Sequence, residues 1–385
     1  MQPKSNLKII YVANVRIPTE KAHGIQIAKM CEAFSRAGAE VELIVPRRKN
    51  TIKDNPFHYY GIESNFLVRK LPTIDLVSWG KIGFIFQTLS FACSVLVSSC
   101  RKNNAMYFTR DELIAAMLTA VGKRAVWEGH HGQHNLLTRF LIRKKVKIVV
   151  ISEGLKRFYL KQGVAEEQII VLHDGVDLEE FAEIPMMDAR RMISLPENLF
   201  VVGYVGKFRT MGKSKGVEDL IRAFSSFSTQ APSAHLLLVG INEAERNEVI
   251  ECLRNEHVST KNYTIVGHIL HSTVPQYLCA SDILVMNYPK EGHYVDFMSP
   301  LKLFEYMASG RAIVATDLPS IREVLGPNSA FWVDPTDDLS LYKSLVIAQS
   351  DSLLRVARGI EARRTINSYT WENRARKILQ FTEQC

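Results

Sequence analysis

The chain opens with short apolar runs separated by a segment of helical periodicity. The run KIIYVA at 8–13 is almost wholly apolar and predicts a buried strand, and VELIVP at 41–46 predicts a second one. Between them, GIQIAKMCEAFSRA at 24–37 places apolar residues at helical spacing and stops near Gly38. A strand, a helix and a strand in this order favour a parallel sheet, whose ligands bind at the carboxyl ends of its strands.

The same alternation recurs along the chain, so we predict an α/β fold of two Rossmann-like, doubly wound domains that face each other across a cleft. The first domain is placed at 1–170 and the second at 171–370. A helix from Trp371 is expected to cross back, so that residues 371–385 complete the first domain. Further strands are predicted at 106–108, at 146–151 as the last strand of the first half, and at 200–206, 234–239, 264–266, 282–286 and 312–316.

Composition places the chain among globular proteins of ordinary core size. Of its 385 residues, 46% are hydrophobic and 23% are charged. Six cysteines are scattered without a CxxC pair, and the chain opens without the apolar region of a signal peptide, so a reducing, cytoplasmic location is expected. The net charge of +8 by itself suits nucleic acid, an anionic membrane face or phosphorylated ligands, and of these three a nucleic-acid partner is not expected.

The longest apolar stretch is IGFIFQTLSFACSVLVSSC at 82–100. Because it contains Gln87 and several serines and is only marginally long enough to span a bilayer, it predicts a buried or interfacial helix rather than a transmembrane one. Basic runs such as 47–49 are ordinarily solvated faces. Peripheral contact with the inner face of an anionic membrane is therefore a hypothesis, and no oligomeric state is predicted.

The stretch FMSPLKLFEYMASG at 297–310 combines helix signals with anion-binding chemistry. Ser299 suits an N-cap and Pro300 the first helical position, and the helix is expected to end at the final glycine of the stretch. Its free N–H groups and Lys302 would attract a diphosphate, while Glu305 on the same face would accept hydrogen bonds from ribose hydroxyls. This layout fits a nucleotide sugar, and an ordinary capped helix with a surface Lys–Glu pair is the alternative.

A second phosphate-complementary segment follows the predicted strand at 200–206. The loop KFRTMGKSKG at 207–216 is rich in glycine and lysine, which favours close approach of backbone and cations to phosphates. It lacks the spacing of a P-loop, and a flexible basic surface loop is the alternative. Its basic residues are Lys207, Arg209, Lys213 and Lys215.

Polar side chains also follow the predicted strands of the first half. We expect one histidine to donate a hydrogen bond to a reacting oxygen, and Glu128 either to orient that histidine or to be a satisfied buried carboxylate. The histidines lack acidic partners at metal-ligand spacing, so no metal site is expected. The loop IPTEKAHG at 17–24 lacks the GxGxxG fingerprint, which counts against a nicotinamide enzyme. The polar residues concerned are Arg110, Asp111, Glu128, His130, His131 and His134.

Motifs of one known family occur in order along the whole chain. They read KIIYVANVRIPTEKAHG, VWEGHH, VVISEGL, LHDGVDLEEF, GYVGKFRTMGKSKGVEDLI, LLLVG, ASDILVMNYP, SPLKLFEYMASGRAIVATDLPSIREVL and YTWENRARKIL. Each string alone is weak, but their joint order resembles that of the retaining glycosyltransferases of family four, which have the two-domain GT-B architecture.

The resemblance assigns roles to individual residues. Lys207, which replaces the usual Arg, and Lys215 match the basic residues on the donor diphosphate, with Lys213 as a competitor of Lys215. Glu305 matches the second of two paired glutamates and would bind the donor ribose. His130 matches the first-domain histidine near the transferring sugar.

One motif position departs from the family. The first paired glutamate falls at Phe297, so the adjacent Asp296 or backbone groups from Met298 to Leu301 are the candidates for holding the sugar. Gly24 matches the glycine that lets a first-domain helix approach the donor phosphates. The donor-binding set implied is Gly24, Gly206, Ser299, Pro300, Leu301, Lys302 and Glu305.

The activity implied by the resemblance is transfer of a hexosyl group from a UDP-sugar or GDP-sugar to an acceptor hydroxyl, with retention of configuration and without a metal ion or other cofactor. The acceptor is expected to be a saccharide or a lipid-linked acceptor in polysaccharide, glycolipid or cell-envelope glycan synthesis. A non-catalytic sugar-nucleotide-binding protein and a GT-B epimerase are the alternatives.

Overall fold

The computed structural model describes residues 7–100, 102, 104–181, 184–210 and 213–383, without the side chains of Thr210 and Lys213. The chain divides into two compact units. The first unit comprises Met1–Asp174 and Trp371–Cys385, and the second comprises Gly175–Thr370. The division falls just beyond the boundary predicted at 170.

The first unit is built on a parallel sheet covered by helices. Its strands are β1 Lys8–Val12, β2 Glu40–Pro46, β3 Leu67–Leu71, β4 Ala105–Thr109, β5 Arg124–Gly129, β6 Lys147–Val150 and β7 Ile169–Val171. Among the described residues these seven strands pair in the order β3-β2-β1-β4-β5-β6-β7, all in parallel. The helices are α1 Ala22–Arg36, α2 Pro56–Tyr60, α3 Lys81–Ser99, α4 Glu112–Ala120, α5 Leu136–Arg143 and α6 Glu153–Lys161.

The second unit repeats this plan with a smaller sheet. Its strands are β8 Phe200–Val205, β9 Arg209–Thr210, β10 Lys213–Ser214, β11 Ala234–Val239, β12 Tyr263–Val266, β13 Ile283–Met286, β14 Ala312–Thr316 and β15 Phe331–Val333. Counting only described residues, six of them form a parallel sheet in the order β12-β11-β8-β13-β14-β15, while β9 and β10 form a separate hairpin. The helices are α7 Met186–Met192, α8 Val217–Gln230, α9 Glu243–Asn255, α10 Val274–Cys279, α11 His293–Asp296, α12 Leu301–Ser309, α13 Pro319–Arg322, α14 Ser340–Ser350 and α15 Ser352–Ile366.

The sheet orders position the candidate site. Strand β8 is buried along its whole length, as its continuous apolar sequence predicts for a strand covered on both faces. It lies between β11 and β13, so the chain connections leave it in opposite directions. Such a switch point opens a crevice at the carboxyl ends of the strands, where α/β proteins bind ligands. The predicted α/β fold with two doubly wound sheets is confirmed.

The sequence does not predict β3, β5, β7 and β15. Because β7 pairs beyond β6, the prediction that the strand at 146–151 is the last of the first half is wrong. Strands β7 and β15 have three residues each, too few for an alternating pattern, and β3 is a largely exposed edge strand with two charges. The basic segment 207–216 contains the β9–β10 hairpin rather than a plain loop.

The last helix, α16 Trp371–Glu383, packs against α1 in the first unit. Its Arg374 is buried, and its Nε donates to the carbonyl of His173 at 2.9 Å. The Arg374 guanidinium also donates to Glu128, whose side chain is fully buried at the end of β5. Helix α16 therefore supplies the positive charge that compensates the buried carboxylate of Glu128.

Helix α3 is the one described helix that is long and apolar enough to cross a membrane by length and composition. It has 19 residues, and a third of its most apolar window is buried within the fold. Core helices of water-soluble proteins meet the same criteria, so the finding is weak evidence for a membrane span.

Replacing Arg374 with methionine should destabilise the first unit by ~3–5 kcal/mol, because the buried Glu128 carboxylate would lose its main counter-charge. Urea unfolding followed by circular dichroism measures the loss. Arg376→Met is the matched control on the same helix, since Arg376 makes an exposed pair with Glu372 and should change stability by less than ~0.5 kcal/mol.

A double substitution separates charge from packing. Glu128→Gln combined with Arg374→Met should recover much of the stability lost in the single variant, because the Glu128 charge is then removed together with its counter-charge. Additive losses in the double variant would show that Arg374 contributes through packing instead.

Candidate functional site

The candidate site in the second unit starts where β8 ends. Gly206 follows this strand with φ +142°, and its N–H donates to the carbonyl of Val239 at 2.8 Å. After the β9–β10 hairpin the chain reaches Gly216, which has φ +78° and at which a Cβ would lie 1.7 Å from the carbonyl oxygen of Asn287. Both positions favour glycine, and Gly216 holds the basic segment against the residues that follow β13.

Helix α12 carries the predicted anion-binding turn, but it starts one residue later than predicted. Pro300 is the N-cap residue, with an extended ψ of 125°, and Leu301 is the first helical residue. Ser299 is therefore not the N-cap, because the extended Pro300 places it outside the first turn. The helix ends as predicted, with Gly310 at φ +68°. Its first turn presents backbone N–H groups of the kind that bind anions.

Lys302 lies one residue into this helix and is buried. Its Nζ is 4.3 Å from the ring centroid of Tyr204 and 4.6 Å from that of Tyr288, and among the described residues it has no hydrogen-bond partner. Burial and the charge of Lys215 hold the pKa of the Lys302 ammonium well below its usual value, against the opposing effect of Glu305. A buried ammonium without a counter-ion costs free energy, which an anionic ligand would offset.

Two further lysines act on the same region. Lys215 follows the hairpin, and its backbone N–H donates to the carbonyl of Phe208 at 3.1 Å. Burial and the charge of Lys207 lower the pKa of Lys215 to about 8, while Glu245 opposes this shift. Because Lys215 in turn lowers the pKa of Lys302, the three lysines form one electrostatically coupled cluster.

Arg209, which belongs to the same segment, does not join this cluster. The Arg209 guanidinium lies 3.3 Å from Glu218 Oε1 and also contacts Glu248, so its charge is compensated. The side chain of Lys213 lies outside the described part of the chain. The prediction that Lys213 competes with Lys215 therefore stays open.

Glu305 is held by a histidine that the sequence analysis does not single out. His271 Nε2 lies 2.8 Å from Glu305 Oε1, and His271 Nδ1 lies 3.9 Å from Glu180 Oε2. His271 follows β12, so it comes from the carboxyl edge of the sheet like the residues already described. Its position after a strand is the available signal in the sequence, and nothing in the spacing links it to Glu305.

The two residues predicted to contact the sugar lie between β13 and α12. Asp296 ends the short helix α11, and Phe297 follows it, and both are half-buried. The carbonyl of Tyr294 in this helix accepts a hydrogen bond from Ser320 Oγ at 2.6 Å, which fixes the segment to α13. The contact of Asp296 or Phe297 with a sugar stays a prediction.

In the first unit, His130 is fixed in one orientation after β5. The Arg110 guanidinium lies 2.9 Å from His130 Nδ1, and His130 Nε2 lies 3.3 Å from Glu128 Oε2. Since a guanidinium only donates, Nδ1 accepts and the proton is assigned to Nε2. Burial and the charge of Arg110 lower the pKa of His130 to about 3, so its imidazole is neutral at pH 7.

Glu128 is the centre of a buried polar network. Burial alone would favour its protonated form, but Arg374, His130 and Arg110 together lower the pKa of Glu128. Gln26 Nε2 donates to Glu128 at 3.3 Å and to Asp174 at 3.1 Å. Glu128 is predicted either to orient a histidine or to be a buried carboxylate whose hydrogen bonds are made within the fold. The structure is compatible with both roles, because the carboxylate accepts hydrogen bonds from its neighbours and also faces His130.

Two other predictions for the first unit concern Gly24 and the neighbouring histidines. A Cβ at Gly24 would lie 2.3 Å from Tyr60 Oη and 2.6 Å from Thr19 Cγ2, so packing within the unit already requires glycine there. Its contact with donor phosphates stays a prediction. His131 and His134 are exposed, and the described residues contain no group of three His, Cys, Asp or Glu side chains arranged to hold a metal ion.

Known proteins with similar sequences are glycosyltransferases. Residues 200–351 match the family described as glycosyl transferases group 1. The chain is 24% identical to the putative teichuronic acid biosynthesis glycosyltransferase TuaH of Bacillus subtilis, over 65% of this chain and 63% of the relative. It is 23% identical to the phosphatidyl-myo-inositol mannosyltransferase of Mycolicibacterium smegmatis, over 61% of this chain and 56% of the relative. The matched region thus spans less than two thirds of each relative's length.

Solved structures with the same fold cover nearly the whole chain. The sucrose-phosphate synthase of Thermosynechococcus elongatus superposes with a TM-score of 0.76 at 19% identity, over 98% of this chain and 99% of that one. HepE of Anabaena, solved in complex with UDP and glucose, superposes with a TM-score of 0.73 at 14% identity, over 99% and 100%. At these identities the likeness shows the fold, which is that of the GT-B glycosyltransferases. Residues 200–351 therefore match the group 1 glycosyltransferases, which agrees with the family resemblance predicted from the sequence.

Proposed function

We propose that this protein transfers a hexosyl group from a nucleoside-diphosphate sugar to an acceptor hydroxyl, with retention of configuration and without a bound metal ion. The observation that carries the proposal is Lys302, a buried ammonium without a hydrogen-bond partner among the described residues, on the first turn of α12. The group 1 family match over the same unit supports it. HepE, which has the same fold, was solved with UDP and glucose.

The donor diphosphate would lie between the first turn of α12 and the three coupled lysines. A phosphate oxygen beside Lys302 Nζ would restore the charged state that burial disfavours. Lys215 and Lys207 would bind the remaining charge, although neither provides the bidentate geometry of an arginine. The ribose hydroxyls would then donate to Glu305, whose orientation is set by His271.

Catalysis in this proposal rests on stabilising the leaving group. The bond between the sugar C1 and the diphosphate oxygen breaks, and the acceptor oxygen bonds to C1 on the same face while its proton passes to the leaving phosphate oxygen. Negative charge grows on the diphosphate during this step, and Lys302, Lys215 and Lys207 would stabilise it. We assign His130 to the transferring sugar from the family resemblance. Its Nε2–H, which lies 3.3 Å from Glu128 Oε2 and has no hydrogen-bond partner of good geometry among the described residues, would be the donor in that role.

The acceptor is proposed to be a saccharide or lipid-linked acceptor of the cell envelope, with UDP or GDP as the donor nucleotide. One relative is described as acting in teichuronic acid biosynthesis, and another is a phosphatidyl-myo-inositol mannosyltransferase. Both names point to envelope glycans or glycolipids, and a cytoplasmic location would give access to nucleotide sugars.

Replacing Lys302 with methionine should weaken nucleoside-diphosphate binding by roughly ten- to a hundredfold, since a hydrogen bond to a charged group contributes about 1.5–3 kcal/mol. The same change should leave the melting temperature of the free protein unchanged or raised, because it removes a buried charge that lacks a partner. Thermal-shift and calorimetric titrations with UDP, GDP and ADP, with and without magnesium, measure both effects.

Lys261→Met is the matched control for this change, since Lys261 is exposed in the same unit. It should alter neither binding nor stability. A Lys302→Met variant that melts much earlier but binds the diphosphate normally would assign Lys302 to the fold and overturn the donor site.

Donor binding should weaken as the pH rises. The pKa of Lys215 in the free protein is about 8, so this lysine is charged below pH 8 and loses its charge above it, whereas a bound diphosphate would keep it protonated. We expect the dissociation constant for the preferred nucleoside diphosphate to rise about tenfold from pH 7 to pH 9, with net proton uptake on binding. Lys215→Arg keeps its charge over this range and should flatten the dependence. An unchanged slope in that variant would exclude Lys215 as its source.

Replacing His130 with asparagine should separate binding from turnover. We expect unchanged diphosphate binding and about a hundredfold slower release of diphosphate from the nucleotide sugar, by transfer or hydrolysis, because a hydrogen bond to the reacting sugar is lost. His134→Asn, at an exposed position nearby, should be neutral. Binding without any turnover in the wild-type protein would favour the alternative of a sugar-nucleotide-binding protein.

A further inference from the structure

Helix α3 of the first unit is apolar on the face that points away from the fold. Its inward stripe repeats at helical spacing and consists of Gly83, Gln87, Phe91, Ala92, Val95 and Ser99. The opposite side, which we name the outer stripe, consists of Ile82, Ile85, Phe86, Leu89, Cys93 and Val97. The large side chains of the outer stripe are 47–74% exposed.

This arrangement differs from that of an ordinary surface helix, because both faces of α3 carry apolar side chains. A helix of a water-soluble domain buries its apolar stripe and exposes polar residues. Here the inward stripe contains Gln87, which donates to Asn14 Oδ1 at 2.7 Å, and Ser99, which donates to the carbonyl of Leu96 at 2.7 Å. The fold binds Gln87 Nε2 and Ser99 Oγ and leaves Ile, Phe, Leu and Val side chains in contact with water, which indicates a second apolar environment outside the fold.

The segment before α3 extends the same surface. Ser94 Oγ donates to the carbonyl of Pro72 at 2.7 Å, and the Ile74 N–H donates to Ser90 Oγ at 3.0 Å, so the segment lies along the helix. A Cβ at Gly83 would lie 3.1 Å from Trp79 Cβ, which places the tryptophan beside the first turn. Trp79 is 70% exposed and Ile74 is 57% exposed. Tryptophan is the side chain most typical of the boundary between lipid and water.

The charges around this surface are positive. Residues 76–110 contain no Asp or Glu. The nearest acidic residue before them, Asp75, is neutralised by Arg48 at 3.1 Å and accepts the backbone N–H of Lys49 at 3.0 Å, which fixes the basic segment 47–49 to this region. The exposed cations are Arg47, Lys49 and Lys81.

We propose that the outer stripe of α3, with Trp79, is a docking surface for an anionic lipid bilayer. The helix would lie parallel to the membrane, with the outer stripe and the indole among the acyl chains and Arg47, Lys49 and Lys81 at the level of the headgroup phosphates. The helix does not span the bilayer, because its inward stripe is packed in the first unit and contains the polar groups bonded there. This inference concerns the location of the protein and does not depend on the proposed reaction.

A second copy of this chain is the other occupant to consider. A symmetric dimer brings the same surface of each copy together, so the exposed cations Arg47, Lys49 and Lys81 of the two copies would face each other and repel. A bilayer that contains phosphatidylglycerol complements the same charges. The charge pattern therefore favours the lipid surface.

Co-sedimentation of the full chain with phosphatidylcholine vesicles, with and without phosphatidylglycerol, tests the proposal. We expect binding to the anionic vesicles at low salt, with weaker binding in high salt and to phosphatidylcholine alone. Brominated lipid should quench the fluorescence of Trp79, identified as the difference between wild type and Trp79→Phe.

The decisive variant is Ile82→Gln/Ile85→Gln/Leu89→Gln, which should reduce the partition onto anionic vesicles at least about tenfold. The matched control is Leu353→Gln/Val356→Gln/Ile360→Gln, which removes three exposed apolar residues at the same spacing from α15 in the second unit and should bind vesicles like the wild type. Lys49→Glu/Lys81→Glu should abolish the preference for phosphatidylglycerol.

Three results would overturn the proposal. They are a wild-type protein that ignores anionic vesicles at low salt, equal losses in both triple variants, and a wild-type dimer in light scattering that the α3 variant converts to a monomer. Circular dichroism and the thermal shift with nucleoside diphosphate verify that each variant is folded. Loss of vesicle binding with normal nucleotide binding would separate this surface from the donor site.

Discussion

The candidate site of the second unit depends on one ammonium group that packs against two tyrosine rings. Lys302 packs against Tyr204 and Tyr288, and the pKa of its ammonium is lowered because burial disfavours the charged form. Strand β8 supplies Tyr204, the segment after β13 supplies Tyr288, and α12 supplies the lysine. The second sheet thus places a lysine whose charged form is disfavoured by burial at the edge where doubly wound proteins bind ligands, and a bound anion would favour that charged form.

The first unit contains a buried negative charge, and unlike Lys302 this charge is compensated by neighbouring side chains. Glu128 is fully buried, but Arg374, Gln26 and the His130–Arg110 pair surround it, so the charge is compensated within the fold. This network keeps the His130 imidazole neutral and in a fixed orientation. The two residues therefore favour ligand binding in different ways. The neutral His130 is held in one orientation, whereas the buried Lys302 increases the affinity of the second unit for an anion.

Features that depend on neighbouring residues could be predicted from the sequence, and those that join distant segments could not. The apolar strands, the helix end at Gly310 and the shared face of Lys302 and Glu305 follow from local periodicity. The contact of His271 with Glu305 and that of Arg374 with Glu128 join segments of unrelated spacing, which no pattern reveals. Helix α3 could be predicted as buried or interfacial, but a helix that is apolar all round does not show which stripe the fold covers.

The return of α16 to the first unit has a consequence for synthesis on the ribosome. Glu128 and Arg374 are separated by 246 positions, so the first sheet must be made, and the whole second unit after it, before the guanidinium exists. Domains generally fold in the order of translation, yet here the N-terminal one is completed last. A nascent chain that stops before Trp371 would carry an intact second unit and a first unit with an unbalanced buried carboxylate. Loss of the C-terminal helix would therefore destabilise the unit that is formed mainly by the N-terminal half of the chain.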